Sequence, residues 1–161
     1  MTDKYLITKE EIDQLPGLDK THFLNDNASR NNKSLGDLTG LRSLGVHIIE
    51  IEPGFQSTEL HVHYHEEECV YVLGGTGEAT IGEDSFPIKS GDFLGYRAGG
   101  EPHMLNNTGN SVLRCLVVGQ RLKHDVGDYP NLGKRIFRNE GLSWNLVDID
   151  AISEPNAGAK K

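Results

Sequence analysis

Basic residues, cysteines and long apolar runs are all scarce in this chain. Sixteen Lys and Arg stand against 24 Asp and Glu, for a formal charge of −8. A chain so short of cations lacks the basic face that nucleic-acid phosphates require, and the same deficit disfavours an anionic membrane surface. No apolar run approaches the ~18 residues needed to span a bilayer. The opening Met1-Thr2-Asp3-Lys4-Tyr5 lacks the basic-then-apolar order of a secretory signal. Only two cysteines occur, Cys69 and Cys115. Both sit in apolar runs, where small buried thiols are common, and no disulfide between them is implied. The expectation is a cytoplasmic protein with neither a nucleic-acid nor a membrane partner.

Long helical periodicity is missing too. What the chain has instead is 19 glycines among 161 residues and a hydrophobic content of 36%. That fits one domain of short elements joined by tight turns. Thr8-Lys9-Glu10-Glu11 ahead of Ile12 and Leu15 is a capping box, predicting a short helix that ends at Pro16-Gly17. Asn25 to Asn32 is so rich in turn formers that it reads as an exposed loop.

Strand signals then follow at short intervals: 43–52, 59–64, 68–73, 78–81, 85–88, 92–96, 103–106 and 112–118. Gly82-Glu83-Asp84 between two of them is a hairpin signal. Eight short strands with Gly-rich turns predict an all-β barrel or sandwich. The chain divides into an arm with the short helix (1–42), the barrel (43–120), an extension that packs on the barrel and covers a sheet edge (121–153), and a disordered tail (154–161).

The most unusual stretch is His61-Val62-His63-Tyr64-His65-Glu66-Glu67-Glu68, which runs into the apolar strand Cys69 to Leu73. Successive strand side chains alternate faces, so His61 and His63 share one face, with Cα atoms about 6.6 Å apart, close enough for two imidazoles to converge on an ion. Glu68 shares a face with Val70 and Val72, which places its carboxylate at the barrel mouth above an apolar floor. His103 lies on a later strand. Three imidazoles and a carboxylate make a mixed N/O donor set that suits Fe, Mn, Ni, Co or Zn as a single divalent ion. A one-residue slip would exchange Glu68 for Glu67. His65 has the parity of a ligand but lies where the strand should turn. Both Glu67 and His65 are candidates for catalytic acid–base roles. His47, Tyr96 and Arg97 are candidates to line the pocket, the last because guanidinium binds carboxylates bidentately.

These residues resemble the motifs of the cupin superfamily. The first motif is matched by Gly54, His61, His63, Glu68 and Gly75, and the second by Gly91, Gly99, His103 and Asn107. Six residues separate Gly54 from His61 where the motif has five, Arg97 stands in place of the second motif's proline, and three residues rather than two lie between Gly99 and His103. These are changes of turn length, which bear on loop shape rather than ligand identity. The flanks further resemble small single-domain bacterial cupins.

The resemblance implies a double-stranded β-helix, or jelly-roll barrel, with a short N-terminal helix and a C-terminal extension. It also implies a metal held by His61, His63, Glu68 and His103, and a homodimer in which Tyr5 to Ile7 could pair across sheet edges. The function it implies is that of a small-molecule metalloenzyme of dioxygenase, isomerase or lyase type at an open site. The alternative is a non-catalytic small-molecule or sugar-binding module, since a scaffold does not fix a reaction.

Overall fold

In the computed structural model, which describes residues 4–155 and 158, thirteen strands carry the fold and helix is confined to short pieces. Helix α1 (Lys9–Gln14) has both halves of the expected capping box: the Thr8 hydroxyl accepts from the Glu11 amide, and the Glu11 carboxylate accepts from the Thr8 amide. Most of the C-terminal segment for which disorder is expected lies outside the described residues. Among those described, no helix is long and apolar enough to cross a membrane.

All eight expected strands are present. They are β3 (Leu44–Ile51), β4 (Val62–His63), β5 (Glu68–Gly74), β6 (Thr76–Ile81), β7 (Asp84–Lys89), β8 (Phe93–Tyr96), β9 (His103–Asn106) and β10 (Leu113–Gln120). The N-terminal part adds β1 (Leu18–His22) and β2 (Asn25–Ser34), and the C-terminal part adds β11 (His124–Tyr129), β12 (Lys134–Asn139) and β13 (Asn145–Asp148). A six-stranded sheet in the order β1-β2-β3-β10-β5-β8 forms one wall. The other wall joins β7-β6-β9 to β13-β12-β11-β4 through a bridge between His61 and His103. Between the walls Ile49, Ile51, Val70, Val72, Leu105, Leu113 and Cys115 form the apolar core. This is the jelly-roll barrel.

The expected exposed loop at 25–32 is a correction. It is strand β2, paired with β1 on one side and β3 on the other. Its turn-forming composition is misleading because the side chains that alternate inward, Arg30 and Asn32, face a polar cavity rather than the apolar core. Hydrophobic alternation is a strand signal only where the covered face is dry.

Gly75 closes β5 in a conformation only glycine adopts easily, with φ +82°. A Cβ there would lie 2.4 Å from the Val112 carbonyl oxygen and 3.0 Å from the Leu113 Cα, neither of which can swing aside. By contrast Gly54, also at positive φ, opens onto free space. The left-handed strain and the clash should together make Gly75→Ala cost about 2–3 kcal/mol. At ~2–4 °C per kcal/mol, thermal melting should then fall by several degrees. A variant melting with the wild type would show that the turn relaxes freely.

Candidate metal centre

The bridge between the two halves of the second wall also builds the site. The His103 amide donates to the His61 carbonyl at 2.8 Å and the His61 amide to the His103 carbonyl at 3.3 Å. Residues directly opposed in an antiparallel pair project to one face, and the two rings have centroids 4.7 Å apart. His63, two residues along, brings its ring within 4.9 Å of His61. Glu68 rises from the start of β5 in the opposite sheet, with one carboxylate oxygen 3.8 Å from His103 Nε2. All four line one cavity of about 270 Å³. The parity reading of β5 holds as well: Val70 and Val72, on the face of Glu68, are buried, and Tyr71 and Leu73 point out.

In each of the three histidines the ring nitrogen Nδ1 is already engaged by an acceptor. That of His61 meets the Glu59 carbonyl at 2.9 Å, that of His63 the Asp125 carboxylate at 2.7 Å, and that of His103 the Glu101 carbonyl at 3.3 Å. At His61 and His103 the acceptor is a carbonyl, which can only accept, so there Nδ1 carries the proton. His103 Nε2 is buried with no hydrogen-bond partner. At 3.8 Å it is too far from Glu68 for a hydrogen bond. Three imidazoles bonded through their outer nitrogen, with a carboxylate alongside, are donor types that a divalent ion takes, although the His63 and His103 ring centroids lie 6.4 Å apart. The outer acceptors are the orienting partners that metal-binding histidines ordinarily have.

The charges agree with the geometry. Burial, helped by the neighbouring His103 and His63 rings, holds His61 well below the ordinary imidazole range. Burial brings His103 down to about 4 against the opposing pull of its bond to Glu101. Both are therefore neutral, as ligation requires. Burial pushes Glu68 up, opposed by His63 and Arg30. Burial thus outweighs the nearby positive charge at Glu68.

Sequence reasoning missed the support beneath His63. Asp125, on β11, is 2% exposed. One of its oxygens accepts from His63 and from Arg138 at 2.7 Å, and the other from the amides of His65 and Glu66. Arg138, on β12, also donates to Glu66, and Glu66 accepts from the Leu122 amide at 2.8 Å. Burial raises Asp125, but the bonds from His63 and Arg138 outweigh it and hold the carboxyl below its usual range. His63, Glu66 and Asp125 are close enough to be a metal group in their own right. That place is taken, because the Arg138 guanidinium bonds both carboxylates. The segment after Gln120 thus bonds and orients a histidine.

The remaining candidates separate. Tyr96 lines the cavity, its ring stacked on His103 at 3.6 Å and 5°. Its hydroxyl is buried without a partner and kept protonated by burial and by Glu68. His47 also lines the cavity, with Asn32 bonded to its Nδ1 at 3.2 Å. Glu67, His65 and Arg97 are exposed. Glu67 and Arg97 border an open depression that shares Glu68 and Tyr96 with the cavity, and Glu67 also lines a second pocket with His47, His63 and Glu68. Cys69 and Cys115 are free thiols. The polar strand β2 and its partner β1 bring Arg30, Asn32 and Lys20 into the cavity wall, and no local sequence signal marks them.

Residues 47–119 match the Cupin domain family. A solved structure from Acidithiobacillus ferrooxidans, provisionally named a sugar phosphate isomerase, is 51% identical and superposes with a TM-score of 0.92 over 98% of this chain and 100% of its own. An oxalate-binding protein of Thermotoga maritima is 32% identical over 70% of this chain and 86% of its own length. An uncharacterized protein of Methanocaldococcus jannaschii is 39% identical over 41% of this chain, and the match spans about half, 52%, of that protein. With both motifs in place on a jelly-roll barrel and relatives matched over most of their length, this chain belongs to the cupin superfamily.

Proposed function

We propose that this cupin is a divalent-metal-dependent enzyme acting on a small oxygen-bearing molecule, with isomerase-type chemistry. His61, His63 and His103 hold the metal through Nε2, and Glu68 through its carboxylate. The observation that carries this reading is that Nδ1 of all three histidines is engaged by an outer partner while they line one cavity with Glu68, where His103 Nε2 is buried and unpartnered. A divalent ion held by these residues would supply Lewis-acid chemistry toward a substrate oxygen.

The chain's own residues do the rest. Asp125 and Arg138 fix the ring of His63, and Tyr96 packs flat against His103. The Tyr96 hydroxyl, protonated and unpartnered, is placed to donate to an oxygen of the bound molecule. The isomerase reading is supported by the similarity to the Acidithiobacillus protein. A second reading, binding without turnover, is favoured by the similarity to the Thermotoga oxalate-binding protein. The small molecules named for both relatives are anions.

The two readings part in one experiment. Purified protein is offered a panel of aldose and ketose phosphates, followed by NMR, before and after chelation. The isomerase reading expects interconversion that stops on chelation and falls at least about 1,000-fold in His63→Ala. Metal-dependent binding of oxalate with no turnover of any panel member would instead establish the binding module.

A further inference from the structure

The N-terminal hairpin puts two cations on the wall of the same cavity, and neither has an acidic partner. Lys20 on β1 and Arg30 on β2 are register partners, so their side chains share a face. Both line the cavity that the histidines also line. Among the described residues the ion pairs include neither of them.

Arg30 is the more telling of the two. Its Nη1 donates to the Ser57 carbonyl, and its Nε is buried with no acceptor. A guanidinium cannot shed its charge, and a buried donor left unmet is costly. A purely structural arginine would be expected to close its fork on a carboxylate. Glu68 is near enough for the two charges to act on each other, yet the pair does not form. Arg121, Arg135 and Arg138 are hydrogen-bonded to Asp37, Asp128 and Asp125. Arg114 also leaves its Nε without a hydrogen bond, but it lies 3.2 Å from the Glu50 carboxylate, a counter-charge that Arg30 lacks.

We propose that Arg30, with Lys20 beside it, binds the anionic end of the substrate, a phosphate or carboxylate group. The substrate's other end reaches the His61–His63–Glu68–His103 centre. The inference rests on reading this cavity as the substrate site and adds the substrate's charge class and the residue that selects it. The cavity, about 270 Å³, lies at the small end of ligand pockets, so the anionic group and the reacting oxygen belong to one compact molecule. Two cations at one point favour a dianion, so phosphate binds more tightly than acetate.

Calorimetric titration with inorganic phosphate and with acetate tests this, on protein as purified and after chelation. Arg30→Gln should weaken phosphate binding about 10- to 100-fold in both states, with metal content unchanged. Lys20→Gln, an exposed position that carries the test if Arg30→Gln fails to fold, should weaken it by a smaller factor. Arg30→Lys should recover part of the loss. Acetate binding as tightly as phosphate would replace the phosphate class by carboxylates. Phosphate affinity that is unaltered in folded Arg30→Gln or in Lys20→Gln overturns the inference, as does a wild type that binds no phosphate at ~10 mM. If phosphate affinity follows chelation alone, the metal takes the anion: this inference falls and the metalloenzyme reading stands. Arg30-dependent phosphate binding in protein that never carries metal does the opposite, upholding the anion site and removing the metalloenzyme reading.

Discussion

Protein in which His61 and His103 are both alanine is expected to purify without stoichiometric metal. The two residues face each other across a backbone bridge, so removing both imidazoles leaves the hydrogen-bonded strands in place while half of the donor set disappears. A four-donor protein site can be worth about 10–16 kcal/mol in apparent affinity. Losing two donors should therefore cost at least several kcal/mol, about four orders of magnitude in affinity. Elemental analysis of wild type and variant, each purified without added metal, is the measurement. The wild type should hold close to one ion per chain and the variant close to none, with circular dichroism showing the same strand content.

The variant also separates two places where a metal could sit. His63, Glu66 and Asp125 are untouched by the double substitution and remain grouped around Arg138. A stoichiometric ion that survives in the variant would move the metal to that group and sink the assignment to the cavity.

The second large effect is expected from Arg138→Ala. It leaves two carboxylates, Glu66 at 6% and Asp125 at 2% exposure, side by side without their cation. Breaking a buried ion pair by removing one partner typically costs about 3–5 kcal/mol, because the remaining charge stays buried. For a chain of this size that corresponds to a fall in Tm of roughly 10 °C. The same loss reaches the site, because Asp125 then has no cation to hold it against His63, and metal affinity should fall about 10-fold or more. Asp125→Asn keeps the shape but removes the charge that orients His63. It should lower metal affinity about 10- to 100-fold with a smaller loss of stability. Thermal melts together with metal titrations check both variants. An unshifted Tm in Arg138→Ala would mean the cluster is solvated and contributes nothing.

Much of the barrel is legible in the sequence because its strands obey local rules. The β5 run alternates apolar and outward residues, and Val70 and Val72 are buried as that alternation requires. Thr8 and Glu11 announce a helix start by a contact spanning three residues. Gly82-Glu83-Asp84 marks a hairpin that forms where the turn chemistry says it should. His61 and His63 lie on one face because a strand has period two, and Glu68 follows from the same count.

The residues that are not legible act across long sequence separations or toward water. Asp125 bonds His63 from 62 positions away, in a segment with no motif of its own. Among three consecutive glutamates the sequence does not show that Glu66 turns inward to Arg138, Glu67 faces solvent and Glu68 enters the cavity. Arg138 decides the first, and pairing of β5 with β8 and β10 decides the last. The strand at 25–34 is hidden for a different reason: its inward side chains line a wet cavity, so the polarity that ordinarily marks a loop there marks the wall of the site.

By itself, then, the sequence determined the strands, the turns and the spacing of four donors, all consequences of backbone periodicity and steric preference over a few residues. His61 and His103 take their Nδ1 acceptors, the carbonyls of Glu59 and Glu101, from two residues away, but what steadies His63 and which cations line the cavity were decided only when distant strands met. Those properties depend on the partner a polar group finds in a low-dielectric interior, and such a partner is chosen by the fold rather than by the neighbours in the chain.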